Sequence, residues 1–437
     1  MTRGESERHV RQLLDTAAAA APMLAGAVLA WRREDALAEA RRWDAAALAA
    51  EATAPPLAGC ALSVKACVDV AGWVTHAGSR VLADAAPAAA DAPVVAALRD
   101  AGAVVLAQTN MTEFAYSGLG LNPHYGTPRS PVYAGGDRIA GGSSSGAAVT
   151  VAVGAVDAAL GTDTSGSVRI PAAFCGVVGF KPSAGRYPIA GTIPLAPSFD
   201  VPGFIARSAA ECDRLDAALT RRVHPAPRLS VRGARLLVPR GFLAGRVDDV
   251  VATAVEATVR RLASLGARVE ERDMAYLAEI GEATRDGGMV AAESYDWHEP
   301  LLARRAALYD PRVGPRIAAG ARVRAVDYVR ARRRLRDLAL RYAADLEGAD
   351  ALLTPTVPLE PPALADLADD DRYLAVNGRV LYCTELANRV DVPSISLPVG
   401  GPECAVGLLL TGRRGEDAAL LSLARAVETA LRTRTSP

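Results

Sequence analysis

The chain has 437 residues, of which 50% are hydrophobic and 22% charged, with a formal net charge of +0 and a pI of about 7.0. This balance suits a globular protein with a large core, and with no acidic or basic tail it gives no support for nucleic-acid binding. The six cysteines, at 60, 67, 175, 212, 383 and 404, form no CxxC pair, which argues against a disulfide framework or a zinc site and for free thiols in a cytoplasmic protein.

The first apolar run, 16–31, is interrupted by Pro22 and Gly26 and preceded by mixed charges, unlike a signal peptide. It is also too short to span a bilayer, and no other stretch reaches that length, so no membrane association is expected. Residues 1–50 are expected as N-terminal helices, with 16–31 contributing a helix pair packed on the main body. Residues 93–100 read as a helix and 103–107 as a short strand. The Ala/Val run 147–159 has helical length. The Pro/Arg-rich segment 222–240 reads as a crossover between two halves. Apolar spacing predicts a helix over 248–265, ended by Gly266, and a strand begins at 267–269. A long helix over 326–347 leads to the apolar 351–353, and 416–431 forms a final helix. Helix and strand signals alternate, which predicts an α/β fold: a large mixed twisted sheet covered by helices on both faces, with 1–437 as a single domain. The eleven arginines between 304 and 336 read as a solvated helix face, partly balanced by Asp310, Asp327 and Asp337.

Two of the 49 Lys+Arg residues are lysines, Lys65 and Lys181, so 47 are arginines. Arg keeps its proton in proteins, whereas a desolvated Lys can lose it. Either the two lysines are chance leftovers of the Arg bias, or one of them must become a neutral amine. Lys65 ends the apolar segment Leu62-Ser63-Val64-Lys65, which reads as a buried strand end, and burial there would make it a base.

Two Ser/Gly turns flank the 147–159 run: Gly141-Gly142-Ser143-Ser144-Ser145-Gly146 and Gly161-Thr162-Asp163-Thr164-Ser165-Gly166-Ser167-Val168-Arg169-Ile170-Pro171. No lysine follows the first set of glycines, so a phosphate-binding P-loop is disfavoured. The five histidines show neither metal-ligand spacing nor a nucleophile-elbow context, which disfavours a Ser-His-Asp hydrolase.

The paired turns and the upstream lysine closely resemble the amidase signature family. So do Thr109-Asn110-Met111-Thr112-Glu113-Phe114, Pro171-Ala172-Ala173-Phe174-Cys175-Gly176, Gly179-Phe180-Lys181-Pro182, Leu353-Thr354-Pro355-Thr356 and Ser394-Ile395-Ser396-Leu397-Pro398. The similarity spans roughly 55–430. It implies that Ser167 is the nucleophile, Ser143 the proton relay and neutral Lys65 the base. It also implies a cis peptide between Gly142 and Ser143, with Gly142 and Ser144 as supporting residues. Backbone N–H groups of Thr164, Ser165, Gly166 and Ser167 are expected to form an oxyanion hole, and Asp163 and Arg169 an ion pair holding that turn. The 114–120 loop resembles the segment lining the acyl pocket, with Phe114, Ala115 and Tyr116 as substrate contacts; the alternative is that Phe114 and Tyr116 are core.

The expected activity is amide hydrolysis, with esters, anilides or carbamates as further substrates and a glutaminase subunit of a tRNA amidotransferase as the alternative. The expected partner is a small molecule, with no metal and no cofactor; the oligomeric state is open, with a homodimer as the candidate. Two positions depart from the family pattern. Ala66 replaces the Asp often found after the lysine. Ser165-Gly166 replaces the common Gly-Gly, which would strain the turn if position 165 needs positive φ.

Overall fold

The computed structural model describes residues 4–432 except 50–54, 134, 223, 225–227 and 287. Eleven strands build one mixed sheet: β1 (Val28–Trp31), β2 (Ala61–Lys65), β3 (Val104–Thr109), β4 (Ala158–Asp163), β5 (Val178–Lys181), β6 (Val201–Ala206), β7 (Arg235–Arg240), β8 (Arg268–Asp273), β9 (Ala351–Pro355), β10 (Ser394–Pro398) and β11 (Gly407–Thr411). Their order is β1-β3-β2-β4-β6-β5-β10-β11-β9-β7-β8. β2 runs parallel to both β3 and β4, and β7 runs parallel to both β8 and β9; the other pairings are antiparallel. The last strand, β8, reads Arg-Val-Glu-Glu-Arg-Asp and is largely exposed, so charge guards this open edge.

Side chains alternate across a strand, and here the alternation sorts them into two cores. Leu62, Val64, Val105 and Leu160 join one apolar cluster. Ala61, Val104, Leu106 and Ala159 join another, with the helices Glu5–Ala19 and Ser145–Ala152. Lys65 therefore shares the face of Ala61 and Ser63. On that face Ser63 Oγ lies 2.9 Å from Thr150 Oγ1 of the helix Ser145–Ala152, so the lysine is turned toward the start of this helix, where Ser143 lies.

Several elements differ from the sequence expectation. The 147–159 run is not one helix. Ser145–Ala152 closes in a Schellman arrangement, with Gly154 (φ 73) donating to Val151 and Ala155 donating to Thr150, and 158–163 becomes β4. The gain is a central strand paired on both edges. The 16–31 run likewise divides into the end of Glu5–Ala19, the short helix Ala21–Leu24 and β1, because Gly26 (φ 70) breaks the helix and β3 offers an open edge to pair with. Residues 1–3 and 50 of the expected N-terminal helices, and 223 and 225–227 of the expected crossover, lie outside the described residues. The end of that segment, 235–240, is β7 itself, and the residues before it lead from the helix Ala209–Thr220 into this strand near the far edge of the sheet. The helices Pro93–Asp100, Asp249–Ser264, Ala325–Asp345 and Asp417–Arg432 follow their expected ranges within two residues. Among the described residues no helix is long and apolar enough to cross a membrane.

Candidate active site

β2 and β4 are parallel neighbours, and both end on the same side of the sheet. Open α/β sheets place ligands at the carboxyl ends of their strands, and the candidate residues gather there. Lys65 is the last residue of β2 and is fully buried. Its Nζ lies 2.7 Å from Ser143 Oγ and donates to Thr162 Oγ1 (2.8 Å) and to the Thr162 carbonyl (3.3 Å). Burial lowers the Lys65 pKa, against a weaker opposing pull from Cys67, Asp163 and Asp200. No carboxylate forms an ion pair with it among the described residues, so the site favours the neutral amine. Lys181 is also buried, and burial brings its pKa down to about 8. Its Nζ, however, donates to the Pro182 carbonyl at 2.6 Å, and among the described residues no hydrogen bond joins it to either serine.

Ser143 follows a cis peptide after Gly142. A Cβ on Gly142 would stand 2.5 Å from the Gly120 nitrogen, so close backbone approach excludes any side chain there. The Gly142 amide donates to the Gly118 carbonyl (2.8 Å), the Thr112 amide to the Ser143 carbonyl (3.1 Å), and the Ser144 amide to the Ser167 carbonyl (3.1 Å). The last bond ties the two Ser/Gly turns together. Ser143 has no exposed surface, while Ser167 retains 4% and forms part of a cavity wall. Among the described residues no hydrogen bond joins the Ser143 and Ser167 hydroxyls.

Asp163 ends β4, and its carboxylate holds the following turn. Oδ1 accepts from the Gly166 amide (2.8 Å) and Oδ2 from the Val168 amide (3.0 Å). Arg169 closes a bidentate pair with it, Nη2 to Oδ1 at 2.8 Å and Nε to Oδ2 at 3.0 Å, both residues being fully buried. Burial raises the Asp163 pKa, but the Arg169 guanidinium, the Lys181 charge and the Val168 amide outweigh it and hold the carboxyl below its usual range. The same guanidinium donates to the Thr384 carbonyl (2.8 Å) and Asn388 Oδ1 (2.7 Å).

This network bears on one expectation. The Gly166 amide, expected in the oxyanion hole, donates to the Asp163 carboxylate in this structure. The Ser165 and Ser167 amides donate to no protein atom among the described residues and remain available. The Ser165 departure also finds its explanation. Positive φ falls on Gly166 (φ 131), not on Ser165, and the Ser165 hydroxyl accepts from Arg389 Nη2 (2.7 Å) while Arg389 Nη1 donates to the Thr164 carbonyl (2.9 Å). Ala66, the other departure, is wholly buried beside the lysine, its amide donating to the Thr109 carbonyl (3.1 Å).

Beside Ser167 lies a cavity of about 360 Å³, within the range of small-molecule sites. Ala115 and Tyr116 line it, with Thr164 and Ser165 of the turn. Phe114 does not. It is 1% exposed, and its ring packs on Trp297, His298 and Tyr309, which fits the core alternative for this residue. The cavity wall also carries Arg316, Asn377, Thr284, Glu385 and Arg389, none of which the sequence reading singled out. Arg316 stands inside the arginine run read as a solvated face. Asn388 and Arg389 interrupt the apolar stretch 386–392, and polar residues within such a stretch are the signal that could have marked them. Among the described residues no group of three His, Cys, Asp or Glu could hold a metal ion.

Known proteins match along nearly the whole chain. The sequence profile of the family described as Amidase matches residues 8–421. The chain is 36% identical over 379 residues to 2-amino-5-chloromuconic acid deaminase of Comamonas testosteroni, covering 85% of this chain and 82% of that one. It is 32% identical over 440 residues to a glutamyl-tRNA(Gln) amidotransferase subunit of Symbiobacterium thermophilum, covering 92% and 89% respectively. A crystal structure described as an amidase superposes with a TM-score of 0.88 at 32% identity, covering 98% of this chain and 96% of that chain.

Proposed function

This chain belongs to the amidase family, and on that premise we propose that it hydrolyses the C–N bonds of small amides through an acyl-enzyme formed on Ser167. The observation that carries the reading is the buried Lys65–Ser143 contact of 2.7 Å, in a turn whose next residue, Ser144, donates its amide to the carbonyl of the cavity-lining Ser167 (3.1 Å). A serine hydroxyl needs a base, and a lysine whose pKa is lowered by burial can serve as one.

Ser167 Oγ attacks the substrate carbonyl carbon while its proton passes to Ser143 Oγ, whose own proton passes to the Lys65 amine. The link between the two hydroxyls closes with substrate in place, since such contacts are often long in the free enzyme. The Ser165 and Ser167 amides receive the oxyanion. As the C–N bond breaks, the proton returns from the Lys65 ammonium through Ser143 to the leaving nitrogen, and a neutral amine departs. Water then attacks the ester carbonyl, its proton taking the same route, and the acid leaves with Ser167 restored. Esters, anilides and carbamates meet the same nucleophile and are further candidate substrates.

A fluorophosphonate probe tests the reading. It labels Ser167, read out by peptide mass spectrometry, and a panel of p-nitroanilides, esters and aryl carbamates is hydrolysed by wild type but not by Ser167→Ala. An unlabelled Ser167, or turnover by the alanine variant, overturns it. The similarity to the amidotransferase protein supports a second reading, as a glutaminase that works with a partner chain. Glutamine hydrolysis that occurs only on adding such a partner would favour that reading; amide hydrolysis by the isolated chain favours the first.

A further inference from the structure

Three arginines and one carboxylate face the cavity: Arg285, Arg316, Arg389 and Glu385. Two of the arginines are engaged. Arg285 Nη1 pairs with Glu385 Oε1 at 3.2 Å. Arg389 holds the Thr164 carbonyl and the Ser165 hydroxyl and lies 3.8 Å from Glu385 Oε2. Arg316 is different. Its Nη1 donates to the Tyr116 carbonyl (2.9 Å), and its guanidinium sits 4.6 Å from the centre of the Tyr116 ring. It has no carboxylate partner among the described residues, and its Nε and Nη2 donate to no protein atom there, though neither is sealed from solvent. A guanidinium held over a ring with free donors is prearranged for a planar anion.

A second donor stands on the same wall. Asn377 Oδ1 accepts from Ser117 Oγ (2.8 Å) and from the Gly118 amide (2.9 Å). That pattern fixes the orientation of the amide, and its Nδ2 is left with hydrogens and no protein acceptor among the described residues. Arg316 and Asn377 are thus both anchored to the 116–118 loop. The same loop receives the Gly142 amide at the Gly118 carbonyl, 2.8 Å away, which connects the two donors directly to the segment bearing Ser143.

We propose that the cavity takes amides whose acyl half carries a free carboxylate, that is, half-amides of small dicarboxylic acids, with Arg316 as the charged partner of that carboxylate and Asn377 Nδ2 as a second donor. The inference rests on the amidase reading for its reaction and on the cavity wall for its substrate class. A hydrogen bond between charged partners in such a site corresponds to about a 10- to 100-fold preference.

The test compares succinamate, glutaramate and adipamate with the neutral amides in which a methyl group replaces the carboxyl, butanamide, pentanamide and hexanamide. Wild type shows a higher kcat/KM for at least one half-amide than for its neutral counterpart, by about 10-fold or more. Arg316→Gln reduces that ratio by a similar factor, mainly through KM, and Asn377→Asp, which sets a negative charge beside the anion, reduces it as well. Equal kcat/KM within every pair overturns the substrate class while leaving the amidase reading intact. A calorimetric titration of glutarate into Ser167→Ala decides the case in which wild type hydrolyses no amide. Binding that weakens on adding Arg316→Gln upholds the anion site and removes the amidase reading; no binding removes both. Because Arg316 also packs on Tyr116, Asn377→Asp supplies the second, independent readout should Arg316→Gln fold poorly.

Discussion

Lys65 Nζ lies 2.7 Å from Ser143 Oγ, at the end of a strand in which all five residues are buried. The contact is short, sealed from solvent, and made by one of only two lysines in the chain. Its neighbours on the nitrogen are the Thr162 hydroxyl and carbonyl, so a neutral amine is solvated by the protein, and among the described residues a positive charge there has no paired carboxylate.

Lys65→Arg is therefore expected to be as damaging as Lys65→Ala. An arginine supplies charge but keeps its proton at any working pH, so it fails as a base. Both variants should lose roughly 100- to 10,000-fold in kcat/KM on an amide substrate, the usual scale of general acid–base contributions. Substantial amide hydrolysis by the arginine variant would show that the side chain acts through charge alone.

The pH profile follows from the direction of the Lys65 shift. Burial lowers its pKa, so the amine is neutral over a wider range than for an exposed lysine. Below that pKa the nitrogen is protonated and cannot accept the Ser143 proton, so kcat/KM falls as pH decreases. Stopped assays across the acid range should show a descending acid limb in wild type, and a profile flat through that range would contradict the assignment.

Ser167→Ala should abolish turnover, by roughly 10,000-fold or more, with an unchanged circular dichroism spectrum and melting temperature. Ser143→Ala should be severely but less completely impaired, because water can occupy the space of a missing relay hydroxyl. Near-wild-type turnover in the Ser167 variant would reassign the nucleophile.

The Asp163–Arg169 pair predicts a stability effect distinct from the chemistry. Both residues are fully buried, and removing one partner leaves the other charge uncompensated. Asp163→Asn should destabilise the fold by about 3–5 kcal/mol in denaturant unfolding. The combined Asp163→Asn and Arg169→Met variant should lose less than the sum of the two single changes. Because the folded-state pKa of Asp163 is lowered, its contribution is fully present above the usual carboxylate range and is lost as pH falls through the folded value.

Gly166→Ala should disable the turn. An added Cβ would lie 2.1 Å from Thr384 Oγ1 at a backbone φ of 131, where side chains are strained. Adding Thr384→Ala should recover only part of the loss, since Ile170 Cδ1 would still be 2.8 Å away and the backbone angle is unchanged. Full recovery of activity in the double variant would show that the Thr384 hydroxyl alone sets the requirement for glycine.

Local chemistry wrote much of this protein into its sequence. The alternation of helix and strand signals pointed to an α/β sheet, because strand and helix signals are properties of short segments, while Lys65, Ser143 and Ser167 were singled out together through the resemblance of the two Ser/Gly turns and the upstream lysine to the amidase signature family. The sequence could not decide where long-range partners would change a local preference. The 147–159 run has helical composition throughout, yet 158–163 joins the sheet because β2 and β6 lie ready on either side of it. Phe114 and Tyr116 are two residues apart and similar in character, yet one packs on His298 and Tyr309 and the other lines the cavity. Gly166 fits any oxyanion turn by its sequence, but its amide is claimed by the carboxylate three residues before it. Arg316 and Asn377 come from segments some 200 and 260 residues away from Tyr116 and Ser117, and no local pattern marks them. Which groups in this cavity are free and which are already bonded is a property of packing, and packing is set by residues far apart in the chain.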